Sequence, residues 1–235
     1  MNVVVFTSDH HNWCLKPFSI LFNKYWGDNQ KVDIAGYSEP EFDLPSNFSF
    51  HSIAKPQYNK SKWADGVLRF FDKFEMRHAV VMLEDYWLTR KVDQEDIQSL
   101  ENFSESMGNN VLRIDLTADR LYAGECKDYG YWEKFDIVQA RYAQYEMSLQ
   151  CGLWNIKTFI DVLTRLKPQY RSAWDVEIHG TTIVHEAGFD VYGTRQWPVR
   201  YCNGLNNATG KKVITSGMTE SDIELIMPYV PEENR

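Results

Sequence analysis

The sequence predicts an α/β fold: a single domain, residues 1–235, whose mainly parallel sheet carries helices on both faces. Three observations lead there. Short β-branched or apolar runs alternate with stretches of helical spacing in the order β-α-β-β-α-β-α-β through Leu116. The run Ala79–Leu83 is apolar without alternation, as in a strand covered on both faces. Neither a repeat nor a linker divides the chain, and 43% hydrophobic with 14% aromatic content over 235 residues is enough to fill one core.

Met1 to Phe6 reads as a buried first strand that delivers Thr7, Ser8 and Asp9 to a sheet edge. Pro17 suits a first helical position, with Phe18, Leu21, Phe22 and Tyr25 following at helical spacing and Gly27 as the stop. Lys31 to Tyr37 and Phe48 to Ala54 read as strands, joined through Pro40 and Pro45. Ser61 is placed to cap a helix whose stripe is Trp63, Val67, Phe70, Phe71 and Phe74. After the strand Ala79–Leu83, Asp93 opens a helix that buries Ile97, Leu100 and Phe103 and closes at Gly108; Val111 to Leu116 is the next strand. Asp119 to Tyr145 has no clean period and reads as irregular, with a short strand at Ile137 to Tyr142. A helix follows from about Asn155 to Lys167, and Thr181 to Val184 and Val199 to Cys202 read as late strands.

Composition excludes several classes. With 25 basic and 33 acidic side chains the net charge is -8, and the pair Lys211–Lys212 is the only basic block, so generic nucleic-acid binding is not expected. No apolar run approaches the roughly 18 to 20 residues that cross a bilayer, so integral membrane association is not expected either. The first residues lack a basic n-region, and the four cysteines are far apart with no C-x-x-C pair. A cytoplasmic protein with free thiols is the resulting expectation.

Neither G-x-G-x-x-G after the first strand, nor a P-loop, nor a G-x-S-x-G elbow is present. Ligands of open parallel sheets bind beyond the carboxyl ends of the strands, which here carry Thr7-Ser8-Asp9, Tyr37-Ser38 and Glu84-Asp85. The acidic pair is the sharpest of these, because adjacent carboxylates can hold magnesium or manganese against a diphosphate. A second dense cluster is Ser172-Ala-Trp-Asp-Val-Glu-Ile-His-Gly180. If extended, Asp175, Glu177 and His179 share one face; if Ser172 caps a helix, Asp175 and His179 remain cofacial while Glu177 turns toward Trp174. A carboxylate beside a histidine suits general base work or metal ligation. His185 is a further candidate ligand. The tandem His10 and His11 follow the first strand, where they either line the same edge or, as is usual for tandem histidines in a loop, are solvated, and the aromatic stretch Tyr122 to Tyr145 reads as core or as a platform for a sugar-like face.

Ser61-Lys-Trp-Ala-Asp65, Ala79-Val-Val-Met-Leu-Glu-Asp-Tyr-Trp-Leu88 with Val92-Asp93, Ser148-Leu-Gln-Cys-Gly-Leu-Trp-Asn155 and Ser172-Ala-Trp-Asp-Val-Glu177 together resemble a group of bacterial and phage glycosyltransferase-like proteins of the GT-A fold. The resemblance covers most of residues 1–205. It implies a Rossmann-like single domain with a nucleotide-binding half, 1–117, and an acceptor-side half, 118–235. It further implies a sugar moved from a nucleotide-sugar donor to a carbohydrate or other hydroxyl acceptor, with manganese or magnesium on the diphosphate. Carried over by position, Asp85 is the metal-facing acid with His179 as a second metal candidate. Thr7, Asp9, Trp63, Asp65, Glu84 and Trp174 line the nucleotide sugar, and Glu177 or Asp175 is the acceptor base. One departure stands out: the group's acidic motif spaces its two aspartates by two residues, whereas here Leu83 holds the first place and Glu84 adjoins Asp85. Two other readings compete, a nucleotidyltransferase, which usually carries a glycine-rich basic loop after its first strand, and a catalytically inactive relative serving as a binding or structural module.

Overall fold

The computed structural model describes residues 1–53, 62–119, 126–205, 213 and 215–235. The α/β class is the one predicted, and the chain divides into two compact units. One comprises Met1–Asn2, Asn59–Val81 and Gln94–Pro198; the other comprises Val3–Tyr58, Met82–Asp93 and Val199–Arg235. The expected capping residue Ser61, with Ala54, Tyr122, Lys211 and Lys212, lies outside the described residues.

The unit that begins at Val3 is built on β1 (Val3–Phe6), β2 (Val32–Gly36) and β3 (Phe48–Ser52), which pair in parallel in the order β3-β2-β1. All four residues of β1 are buried, as a run of Val-Val-Val-Phe requires. Helix α1 (Leu15–Tyr25) buries Leu15, Phe18, Leu21 and Phe22, and Phe18 and Phe22 meet Phe48 edge to face. Pro17 lies within its first turn, because a 3-10 turn over Asp9–Cys14 leads directly into the helix. A separate two-stranded ribbon pairs β5 (Tyr86–Leu88) with β11 (Tyr201–Asn203), so the expected late strand at Val199 to Cys202 starts two residues later and ends one later.

Helix α6 (Glu220–Ile226) is tied to α1 by a buried acid. Asp222 accepts from Lys24 Nζ at 2.6 Å, Tyr25 Oη at 2.7 Å and Thr219 Oγ1 at 2.7 Å. Burial raises its pKa, but these hydrogen bonds outweigh burial and hold the carboxyl at about 2, below its ordinary 3.8. The stabilisation is therefore complete above pH 3.8 and lost as pH falls toward 2. Chemical denaturation between pH 2 and 5 is expected to show that loss, and Asp222→Asn to remove the dependence while destabilising the fold by about 2 kcal/mol. An unchanged pH slope in the variant would assign the dependence to another carboxylate.

The other unit contains α2 (Trp63–Lys73), α3 (Gln94–Ser106), α4 (Ile156–Arg165) and α5 (Ala173–Ala187) around a sheet. Its strands are β4 (His78–Leu83, whose last two residues belong to the other unit), β6 (Val111–Asp115), β7 (Cys126–Trp132), β8 (Phe135–Ala140), β9 (Gly152–Asn155) and β10 (Asp190–Thr194). Their order is β4-β9-β6-β10-β8-β7. β6 and β10 run parallel, whereas β9 lies antiparallel to both neighbours and β8 to β10 and β7. Asn155 ends β9 and caps α4 through Thr158 N, which lets strand pass into helix without a loop.

Three sequence expectations are corrected. Residues 126–140 form a hairpin: the strand expected at Ile137 to Tyr142 is present as β8, two residues earlier, and the stretch before it, expected to be irregular, contains β7. Its period is hidden because β7 is mostly solvent-facing and shifts register between Asp128 and Gly130, and because its turn uses Glu133 at φ 49° in place of glycine or asparagine. Thr181 to Val184 is helical, not a strand: the Ser172–Asp175 capping box starts α5 and Gly188 at φ 68° ends it, so the β-branched run is carried along inside. For the same reason the extended reading of Ser172 to Gly180 gives way to the helical one.

Candidate functional site

The expected site residues fall into two clusters, one in each unit. In the unit beginning at Val3, Thr7 continues β1 by donating its N–H to Ala35 O, and its buried hydroxyl donates to Asn12 Oδ1 at 3.2 Å. Asp9 Oδ1 accepts from Ser38 N at 2.9 Å while Asn12 donates to Ser38 O at 2.8 Å, so both backbone groups of Ser38 are held. Thr7 and Asp9 thus clamp the loop after β1 to the loop after β2. Gly36 makes the approach possible: a Cβ there would stand 2.6 Å from Thr7 Cγ2 and 2.8 Å from the Phe50 ring.

Glu84 and Asp85 follow β4. Glu84 is buried, and its Oε1 lies 3.3 Å from His11 Nδ1, whose pKa is raised by that hydrogen bond against the opposing effect of burial. His11, whose side chain is still half-exposed, is therefore a partner of the acidic pair, the edge-lining one of the two expected readings. Burial, reinforced by the neighbouring Glu84 charge, pushes the Asp85 carboxyl up to about 7. Nearby Cys14 and Cys202 are also pushed up by burial, Cys202 to about 12, so both are neutral thiols and thiolate chemistry is not available to them at neutral pH.

The turn that carries the two acids is set by backbone groups. Asp85 O accepts from Trp87 N at 3.1 Å and from Gly204 N at 2.6 Å, and Trp87 Nε1 donates to Glu84 O at 3.2 Å. Trp87 is fully buried and meets Trp13 edge to face at 6.2 Å. A Cβ on Gly204 would stand 2.5 Å from the Trp87 ring, which has no flexible end to yield. Gly204→Ala is expected to lower stability by about 2 kcal/mol through overpacking and to loosen the Glu84–Asp85 turn, measurable as a lower melting temperature. A variant that melts as the native chain does would show that the turn is set elsewhere.

In the other unit, Trp63 is buried on the core stripe of α2 with Val67, Phe70 and Phe71, and Asp65 pairs with Arg171 at 3.1 Å. Ser172 and Asp175 form the reciprocal capping box of α5, which occupies Asp175 Oδ2. His179 stacks on Tyr170 at 3.8 Å and stands 4.0 Å from Asp175 Oδ1. Glu177 Oε1 accepts from Leu149 N at 2.8 Å, and Thr181 Oγ1, four residues on, accepts from Met147 N at 3.1 Å. Trp174 is exposed. Among the described residues no three His, Cys, Asp or Glu side chains stand close enough to hold a metal ion by themselves.

No family model and no curated protein matches the chain. Solved structures do. TarS 1–349 of S. aureus matches with a TM-score of 0.50 at 9% identity, over 87% of this chain and 61% of that one. The likeness shows the fold alone. It is a GT-A-like α/β fold, and this chain spans about three fifths of TarS 1–349. A cytidylyltransferase from Leptospira borgpetersenii (TM-score 0.45, 8% identity, 79% of this chain and 70% of that one) and the galactosyltransferase LgtC (0.39, 10%, 81% and 72%) are also similar, more distantly. No helix among the described residues is long and apolar enough to cross a membrane.

Sequence reasoning missed the pairing of His11 with Glu84 and the role of Gly204. The signal for His11 was its place directly after the first strand, at the edge where Glu84 also emerges. Nothing local marks Gly204, because its role is to leave room for a ring far away in sequence.

Proposed function

We propose that the chain is a transferase that moves a sugar from a nucleotide-sugar donor to a hydroxyl acceptor, with a divalent cation on the donor diphosphate. The observation that carries this reading is the adjacent pair Glu84–Asp85 at the end of β4, in a turn fixed by Trp87 and Gly204, where burial and the Glu84 charge push the Asp85 carboxyl up to about 7. Two adjacent carboxylates in a poorly hydrated turn gain from a cation, and one or two carboxylates plus phosphate oxygens and water are what magnesium or manganese takes in such sites. Asp85 is the residue that would hold the ion, since Glu84 is engaged with His11 and His179 with Tyr170. The ion, when bound, neutralises charge on the leaving diphosphate.

The chain's own groups supply the rest. Thr7 and Asp9 fix the two strand-end loops against which the nucleotide rests, whereas Trp63, buried on the core stripe of α2, and Asp65, paired with Arg171, have structural work instead. The acceptor hydroxyl must lose a proton, and Glu177 is the base, because the capping box occupies Asp175. The test is a panel of nucleotide sugars incubated with and without manganese, products identified by mass. Metal-dependent release of free sugar and nucleoside diphosphate is expected; formation of a nucleotide sugar from nucleoside triphosphate would instead make the chain a nucleotidyltransferase. Inertness of every donor, with no thermal stabilisation by nucleoside diphosphates, would favour the non-catalytic module.

A further inference from the structure

Asn203–Gly204 is the single Asn–Gly step of the sequence. The step is chemically labile, because a glycine nitrogen, with no side chain beside it, attacks the preceding asparagine amide more readily than a hindered nitrogen does. It ordinarily marks a two-residue hairpin turn, where glycine serves for its left-handed backbone. Here Asn203 is the last residue of β11, opposite Tyr86 of β5, and Gly204 does not take a positive φ. Glycine is required at 204 for space: a Cβ would stand 2.5 Å from the ring of Trp87, which is fully buried and donates from Nε1 to Glu84 O at 3.2 Å. The residue that lets the Glu84–Asp85 turn close is thus the one that makes Asn203 labile.

The fold restrains that chemistry at the attacking atom. Gly204 N donates to Asp85 O at 2.6 Å, which holds the proton the nitrogen must lose. Closing the five-membered ring also needs rotation about the Asn203 Cα–C bond away from extended values, which the ladder with Tyr86 prevents. The Asn203 Oδ1 atom itself is buried and accepts no hydrogen bond among the described residues. Both products of the reaction fit worse than asparagine does. Aspartate puts a charge on that buried oxygen, in a ribbon whose turn already carries Glu84 and Asp85. Isoaspartate lengthens the main chain between residues 203 and 204, which shifts Gly204 against both Asp85 O and the Trp87 ring.

We propose that Asn203 is a self-modification site gated by the hydrogen bond from Gly204 N to Asp85 O: once that bond opens the chain deamidates there, and the product no longer closes the Glu84–Asp85 turn. In the reaction Gly204 N gives up its proton and bonds to Asn203 Cγ. The Cγ–Nδ2 bond breaks, the departing nitrogen takes up a proton, and ammonia leaves a cyclic imide. Water then opens the imide at either carbonyl, giving aspartate or isoaspartate. Water is the only co-reactant. The site acts as a slow, one-way loss of the geometry of the acid pair, whatever reaction that pair serves.

The test incubates the whole chain in mildly alkaline heavy-oxygen water, with and without guanidinium. Peptide masses follow every asparagine, and hydrogen exchange read by NMR follows the Gly204 amide. In guanidinium, Asn203 is expected to convert before any other asparagine. In the native chain it is expected to convert at least about tenfold more slowly, with exchange of the Gly204 amide slowed by a similar factor, because both reactions pass through the same local opening. Trp87→Phe, which removes the Nε1 bond to Glu84 O, is expected to speed both together, and sub-denaturing guanidinium to do the same to the native chain without any substitution. Chains carrying the converted residue, separated and refolded, are expected to melt several degrees lower than unmodified ones. Conversion in the native chain as fast as in guanidinium would overturn the gate, as would conversion and amide exchange that respond differently to sub-denaturing guanidinium. Earlier conversion of another asparagine in guanidinium would overturn the choice of site, and a converted chain that melts as the unmodified one does would overturn its consequence for the turn.

Discussion

Asp85→Asn is expected to lower metal-dependent turnover roughly a thousandfold while leaving the melting temperature unchanged or slightly higher. The two halves of that expectation have one cause. A carboxyl pushed up to about 7 is disfavoured as an anion by its own surroundings, so replacing it with a neutral amide removes repulsion from Glu84, while the amide oxygen can still accept the backbone hydrogen bond that the carboxyl takes. The same replacement takes away the negative oxygen that a divalent cation needs. Turnover at saturating nucleotide sugar, compared with thermal unfolding, checks both, and an unaltered rate would remove Asp85 from the site. A large fall in melting temperature together with the rate would make it a structural acid.

Glu177→Gln is expected to abolish transfer to acceptor, by at least about a hundredfold, and to leave donor affinity intact. The substitution suits the question because glutamine keeps an oxygen that can accept from Leu149 N, so the loop stays attached to α5 while the basic carboxylate is lost. Asp175→Asn, by contrast, weakens the capping box and is expected to reduce stability by about 1 kcal/mol with transfer nearly normal. Transfer assays with the donor Michaelis constant measured in parallel separate the two. A silent Glu177→Gln would leave Glu177 as an anchor of the loop, and loss of transfer in Asp175→Asn would make that residue the base.

The elements legible in the sequence are those whose signal is local. β1 was marked by three consecutive valines, β4 by an apolar run ending in two acids, and α3 by its spacing of Ile97, Leu100 and Phe103. Each is fixed by which side chains fall on one face within a few turns or a few residues. β7 was not legible, although β8 was, because an edge strand open to solvent has no reason to alternate and the turn between the two uses a strained glutamate that no turn signature contains. The run Thr181 to Val184 misled for the opposite reason. Its strong local β preference was overridden by a helix capped at both ends and packed through Gly180 onto Met147.

The same division holds for the candidate sites. The sequence by itself determined that two acids stand at the end of a strand and that Ser172 and Asp175 can start a helix, since both depend on neighbours in the chain. Only the tertiary structure decided that Glu84 pairs with His11, that Gly204 leaves room for Trp87, that Asp85 lies in surroundings where its charge is disfavoured, and that Glu177 and Thr181 hold the backbone of Leu149 and Met147. The reason is physical: desolvation, charge pairing and close approach are properties of what surrounds a group, and those surroundings come from segments that meet only when the chain folds.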